Sequence, residues 1–220
     1  MRDQSQRTIT ALSGAGFAVL ALAGTLASPS EPDFVAEPGT IAAFYSDNHG
    51  ALLGANTMYL LAGVLLLVFA GFLRSAIARA EDGAGRLSEI AFAGTVAGAT
   101  ASLGAASLDL VAALRVDENG TIPPDLAAAL FDASSALFGV AAPMALGAAV
   151  LAIAVAAFRT GLLPAWFGAV SAVLGVALLA PPINYIAVIV FTFWCLAASL
   201  VFYLRPALVV AEPALAAPAR

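Results

Sequence analysis

Polar side chains set inside or at the ends of apolar runs are the residues of this chain that could do chemistry. Asp109 stands six residues before Arg115, and Asp132 seven residues after Asp125. On antiparallel neighbouring helices that spacing puts both carboxylates at one depth, about 9 to 10 Å from the helix ends. His49, in Asp47-Asn48-His49, and Asn56 two turns further on belong to the same level, as do Asn184 and Tyr185 after Pro181-Pro182. Two close carboxylates can share a proton, and a histidine beside them titrates near neutrality. His49, Asn56, Asp109, Asp132, Asn184 and Tyr185 would then line a wet cavity that binds a cation, a proton or a small polar ligand. In the alternative, the helices overshoot a membrane and the acids are hydrated helix ends. A charge costs about 2.5–3.5 kcal/mol at a bilayer centre and much less near its edge. Residue types and spacing leave both readings open, and they name no metal and no cofactor.

The elements that position these residues follow from composition. The chain has 220 residues, 62% hydrophobic and 10% charged, with a mean hydropathy of +0.98. A soluble domain carries about 25% charged residues, so soluble globular, disordered and nucleic-acid-binding classes are excluded. Apolar runs at 10–27, 51–72, 90–110, 136–158, 162–180 and 183–204 each approach the length of a membrane-spanning helix. The expected fold is an all-α, six-transmembrane-helix bundle over residues 1–205, with a disordered tail over 206–220. The first run follows Arg2 and Arg7 and reads as a retained helix. Pro29 directly after Leu26-Ala27-Ser28 makes that a poor signal-peptidase site.

Every basic residue is an arginine, and their distribution sets the expected orientation. With a cytoplasmic N-terminus, Arg2, Arg7, Arg74, Arg79, Arg86, Arg159, Arg205 and Arg220 lie inside and only Arg115 outside. That bias predicts that both termini are cytoplasmic. The acidic stretch 29–50 then becomes an extracytoplasmic loop, with a short surface helix begun by Thr40. Residues 125–158 contain no breaker except Pro143, so the third and fourth helices should project past the outer surface, joined at Asn119-Gly120. Pro143 should kink its helix. Gly94 and Gly98 form a GxxxG pair, which reads as close packing within the bundle or as a dimer seam.

Enzyme chemistry finds little footing. There is no G-x-S-x-G, no P-loop and no H-E-x-x-H. The Gly-x-Gly-Asp of intramembrane aspartyl proteases is missing around Asp109, and His49 lies too near the surface for a rhomboid-like dyad. The lone Cys195 allows neither an intramolecular disulfide nor a thiolate cluster.

Three stretches carry a family likeness. They are Phe44-Tyr45-Ser46-Asp47-Asn48-His49, Ala80-Glu81-Asp82-Gly83-Ala84-Gly85-Arg86-Leu87-Ser88 and Arg159-Thr160-Gly161-Leu162-Leu163-Pro164-Ala165-Trp166-Phe167-Gly168. The lysine-free, alanine-rich sequence resembles uncharacterised actinobacterial multi-pass membrane proteins. That resemblance implies a six-helix bundle and carries over no catalytic residue. The expected role is an accessory or ligand-sensing protein of the bacterial inner membrane with an extracytoplasmic working surface, partnered by the lipid bilayer and by its own copies or another membrane protein. The alternative is an oligomeric small-molecule or cation transporter coupled through Asp109 and Asp132.

Overall fold

A computed structural model describes residues 2–81, 85–181 and 183–204, with side chains in the first helix described from Leu12 onward. The order is α1 (Arg2–Ala27), α2 (Pro38–Ala80), α3 (Arg86–Asn119), α4 (Pro124–Ala136), a π turn (Leu137–Ala141), α5 (Ala142–Thr160), α6 (Ala165–Leu178) and α7 (Asn184–Leu204). No strand occurs among the described residues. α4, the π turn and α5 form one continuous rod of 37 residues. Among the described residues, α2, α3, this rod and α7 are long and apolar enough to cross a membrane. The apolar part of α1 (Leu12–Ala27) and α6 are shorter. The tail 206–220 lies outside the described residues.

One sequence expectation needs correction here. The stretch 29–50 is not a loop with a separate surface helix, because α2 begins at Pro38 and runs for 43 residues. Proline at the first helical position has the required φ and no amide proton left unsatisfied. Beyond it Gly39, Gly50, Gly54 and the polar run Ser46-Asp47-Asn48-His49 are weak helix formers, but no proline follows before Ala80 and the helix runs through them. The chain ends α3 and α5 where the sequence offers glycine: Gly120 (φ 73°) and Gly161 (φ 66°) take the left-handed conformation that closes a helix C-terminus. At the other end of α3, Gly85 has no side chain to cap the first turn. Glu81 supplies the cap instead, accepting the amide protons of Leu87 at 3.0 Å and Ser88 at 2.9 Å.

Helix levels can be read from contacts. Gly94 and Gly98 of α3 pack against Ala145, Ala149 and Leu146 of α5, so α3 and the rod lie side by side, antiparallel. This is close packing inside one bundle. Thr25 of α1 accepts a hydrogen bond from the Tyr59 hydroxyl at 3.1 Å, and the Tyr59 ring meets Phe138 of the π turn at 6.4 Å. Asn184 at the start of α7 bonds Gly139. Thus α1 ends and α7 begins at the level of the π turn. Among the described helices, α2, α3 and α4 continue beyond it.

The core divides at that level. The larger part joins Phe69, Phe72 and Leu73 of α2, Val150 and Ile153 of α5, Phe167 and Leu174 of α6, and Phe191, Trp194 and Phe202 of α7. The smaller joins Ile41, Tyr45 and Leu52 of α2, Ala112, Ala113 and Val116 of α3, Ile122, and Ala127 and Phe131 of α4. The molecule therefore has a helix bundle below the π turn and a three-helix tier above it. Exposed Trp166 and Tyr203 lie towards the arginine-rich end of the bundle, and exposed Tyr185 lies at the π-turn level. Amphipathic rings at two levels are the usual pattern at membrane–water boundaries.

Within the larger core the Trp194 indole donates to Ser171 Oγ at 2.9 Å, and that hydroxyl donates to the Phe167 carbonyl at 2.7 Å. Ser199 contrasts with them: among the described residues its buried hydroxyl, facing Gly14, has no hydrogen-bond partner. Ser199→Ala should therefore raise stability by about 1 kcal/mol, read as a higher midpoint of thermal unfolding in detergent.

Candidate functional site: the Asp109 clamp

Asp109 lies on the face of α3 that it shares with Ala112, Ala113 and Val116, all buried in the smaller core. Its two oxygens take one short bond each. The Tyr45 hydroxyl of α2 donates to Oδ1 at 2.6 Å, and the Ser134 hydroxyl of α4 donates to Oδ2 at 2.6 Å. Tyr45 is fully buried and Ser134 nearly so. Short hydroxyl-to-carboxylate bonds are roughly twice as strong as neutral ones. One carboxylate therefore fastens three helices together at the base of the tier.

Reaching Asp109 forces α2 out of register. Between Gly63, which packs on Leu103, and Tyr45, α2 rises about 27 Å; between Leu103 and Asp109, α3 rises only about 9 Å. Side chains cannot span that difference, so the first turns of α2 lean across the end of the bundle. They carry Ile41 and Tyr45 over the carboxylate.

Glu31, on the segment between α1 and α2, is drawn into the same surroundings. Protein crowding on one side, and then the Asp109 charge, push its carboxyl above the ordinary carboxylate range, although its other side is exposed. A raised acid binds a proton more readily in the folded state than in the unfolded chain. Its contribution is therefore present below the ordinary value and lost as pH rises through the raised one. Packing of residues 28–37 should tighten on acidification from neutral pH, measured by amide exchange, and Glu31→Gln should remove most of that dependence.

The other candidates are dispersed. Asp132 is exposed; two residues before Ser134, it points about 200° away around the helix, so it does not share a site with Asp109. His49 faces Asp117 instead, with Nε2 3.9 Å from Oδ1, and its Nδ1 lies 3.0 Å from the Ser46 carbonyl. Asn56 is buried and donates back to the Leu52 carbonyl of its own helix at 3.0 Å. Asn184 is buried and donates to the Gly139 carbonyl at 2.6 Å, while Tyr185 beside it is exposed. Among the described residues, none of these six bonds to another of the six.

Tyr45 and Glu31 were missed because neither sits in an apolar span. Helical phase could have found the others: Ala127, Phe131 and Ser134 share one face of α4, and Asp132 falls off it. No group of three or more His, Cys, Asp or Glu side chains among the described residues is placed to hold a metal ion. A groove of about 590 Å³ between α6 and α7 is lined by apolar side chains such as Val170, Val173, Ile186 and Val190, with no reactive group. Comparison with protein-family models, curated proteins and solved structures gives no match. Both Asp109 oxygens accept from hydroxyls on neighbouring helices, an arrangement that tethers α2, α3 and α4 to one another.

Proposed function

We propose that this is a non-enzymatic protein of the bacterial inner membrane, with six spans and both termini cytoplasmic, whose three-helix tier is an extracytoplasmic working surface. It serves as an accessory subunit or a ligand sensor. The observation that carries this reading is the second core, held by Asp109, above the level where α1 ends and α7 begins. A chain that only had to cross the bilayer would have no use for it. The orientation is supported by the described arginines: Arg2, Arg7, Arg74, Arg79, Arg86 and Arg159 fall towards one end and Arg115 alone towards the other. Transport coupled through Asp109 and Asp132 draws no support from the geometry, since one is tethered and the other faces away.

Native mass spectrometry of the protein in nanodiscs tests the role, comparing wild type with Asp109→Asn. A small molecule or partner protein retained by wild type, and released when the tier is loosened, is the expected result. A species held equally by both would place the working surface elsewhere.

A further inference from the structure

The join between bundle and tier carries three linked peculiarities. Residues Leu137–Ala141 form a π turn, in which none of the five side chains is buried. Burial resumes directly after it, at Ala142 and Pro143. Pro143 has no amide proton to give the Gly139 carbonyl four residues before it, so the helix cannot satisfy that group in the ordinary way. The buried Asn184 side chain, from a different helix, satisfies it at 2.6 Å.

We propose that the π turn is a hinge on which α4 moves relative to the bundle, and that Asn184 is the latch that holds it. A π turn marks a helix whose hydrogen-bond ladder is locally loosened. The turn is held by Leu137, which packs over Gly104 of α3, by the contact of Phe138 with Tyr59, and by the Asn184 bond. Gly139 adds freedom, because nothing lies within 4 Å of the place its Cβ would occupy. Three residues before the π turn, α4 carries Ser134 onto Asp109. Release of the latch lets α4 swing and draws Ser134 off the carboxylate. The start of α7, at the membrane boundary, is thereby coupled to the clamp that shapes the tier. Only the purpose of that motion rests on the proposed extracytoplasmic role.

Amide hydrogen exchange on the full chain in nanodiscs tests the hinge without any ligand, so its failure leaves the partner-binding reading standing. Asn184→Ala should speed exchange about tenfold, confined to residues 132–146. Pro143→Ala restores an amide proton for the Gly139 carbonyl, so the Asn184→Ala/Pro143→Ala pair should return exchange close to that of wild type. Spin labels at Asp125 and Ala165 should report a broader distance distribution in Asn184→Ala and a narrow one in the pair. Unchanged exchange in Asn184→Ala would overturn the latch. So would acceleration spread evenly over α1, α3 and α7, or a failure of Pro143→Ala to rescue.

Discussion

Asp109→Ala is expected to destabilise the three-helix tier by about 3–5 kcal/mol while the bundle below keeps its helices. The reason is the loss of one acceptor shared by two donors. Tyr45 and Ser134 each place a buried hydroxyl on Asp109 at 2.6 Å, and no other acceptor is shown for either. A buried donor stripped of its partner costs about 1–3 kcal/mol, and here two are stripped by one change. Tyr45→Phe removes donor and demand together and should cost less, about 1–2 kcal/mol. In the Asp109→Ala background, Tyr45→Phe should then cost almost nothing or give some stability back. Thermal unfolding in detergent, with amide exchange along residues 109–134, reads both effects. Equal costs of Tyr45→Phe in the two backgrounds would mean that the bond does not hold the tier.

Gly94→Leu should be the most damaging change in the bundle, costing about 3 kcal/mol or more. A Cβ at this position would stand 2.7 Å from the Ala145 carbonyl oxygen and 3.0 Å from the Ala149 amide nitrogen. Both are backbone atoms of α5, so no rotamer change relieves the collision and α3 must move away. Separation forfeits the dispersion contacts that hold helices together in lipid, where no hydrophobic drive between helices remains. Gly54→Ala makes the matching control. Nothing lies within 4 Å of its added methyl, and the gain in helix propensity is worth about 1 kcal/mol. Unfolding midpoints should therefore move in opposite directions. A Gly94→Leu protein as stable as wild type would contradict the α3–α5 contact.

The apolar runs made helices legible, because residues 10–27, 51–72, 90–110 and 136–158 fall within helices and 183–204 matches α7 but for its first residue. Asn119-Gly120 marked a real helix end, where Gly120 takes the left-handed conformation. The extent of α2 was not legible from hydropathy, which falls at Ser46-Asp47-Asn48-His49 although the helix continues through it. Inside a three-helix tier those residues need only one apolar face, and Ile41, Tyr45 and Leu52 provide it. Asp109 stood out because an acid in an apolar helix is costly. Tyr45 did not stand out as its partner, since the lean of α2 that brings it there is a tertiary effect with no local signal. Asp132 looked equivalent when only depth along the helix was counted, and rotation around the helix separates the two. Pro143 announced a disturbance, but the π turn and its Asn184 bond depend on a helix distant in sequence.

Labelling with an impermeant maleimide in intact cells tests the orientation on which the working surface depends. A cysteine at Gly120, at the tip of the α3–α4 connection, is predicted to react in intact cells. One at Gly83, between α2 and α3, is predicted to react only after the membrane is permeabilised. The reverse pattern would put the Asp109 tier on the cytoplasmic side and contradict an extracytoplasmic working surface.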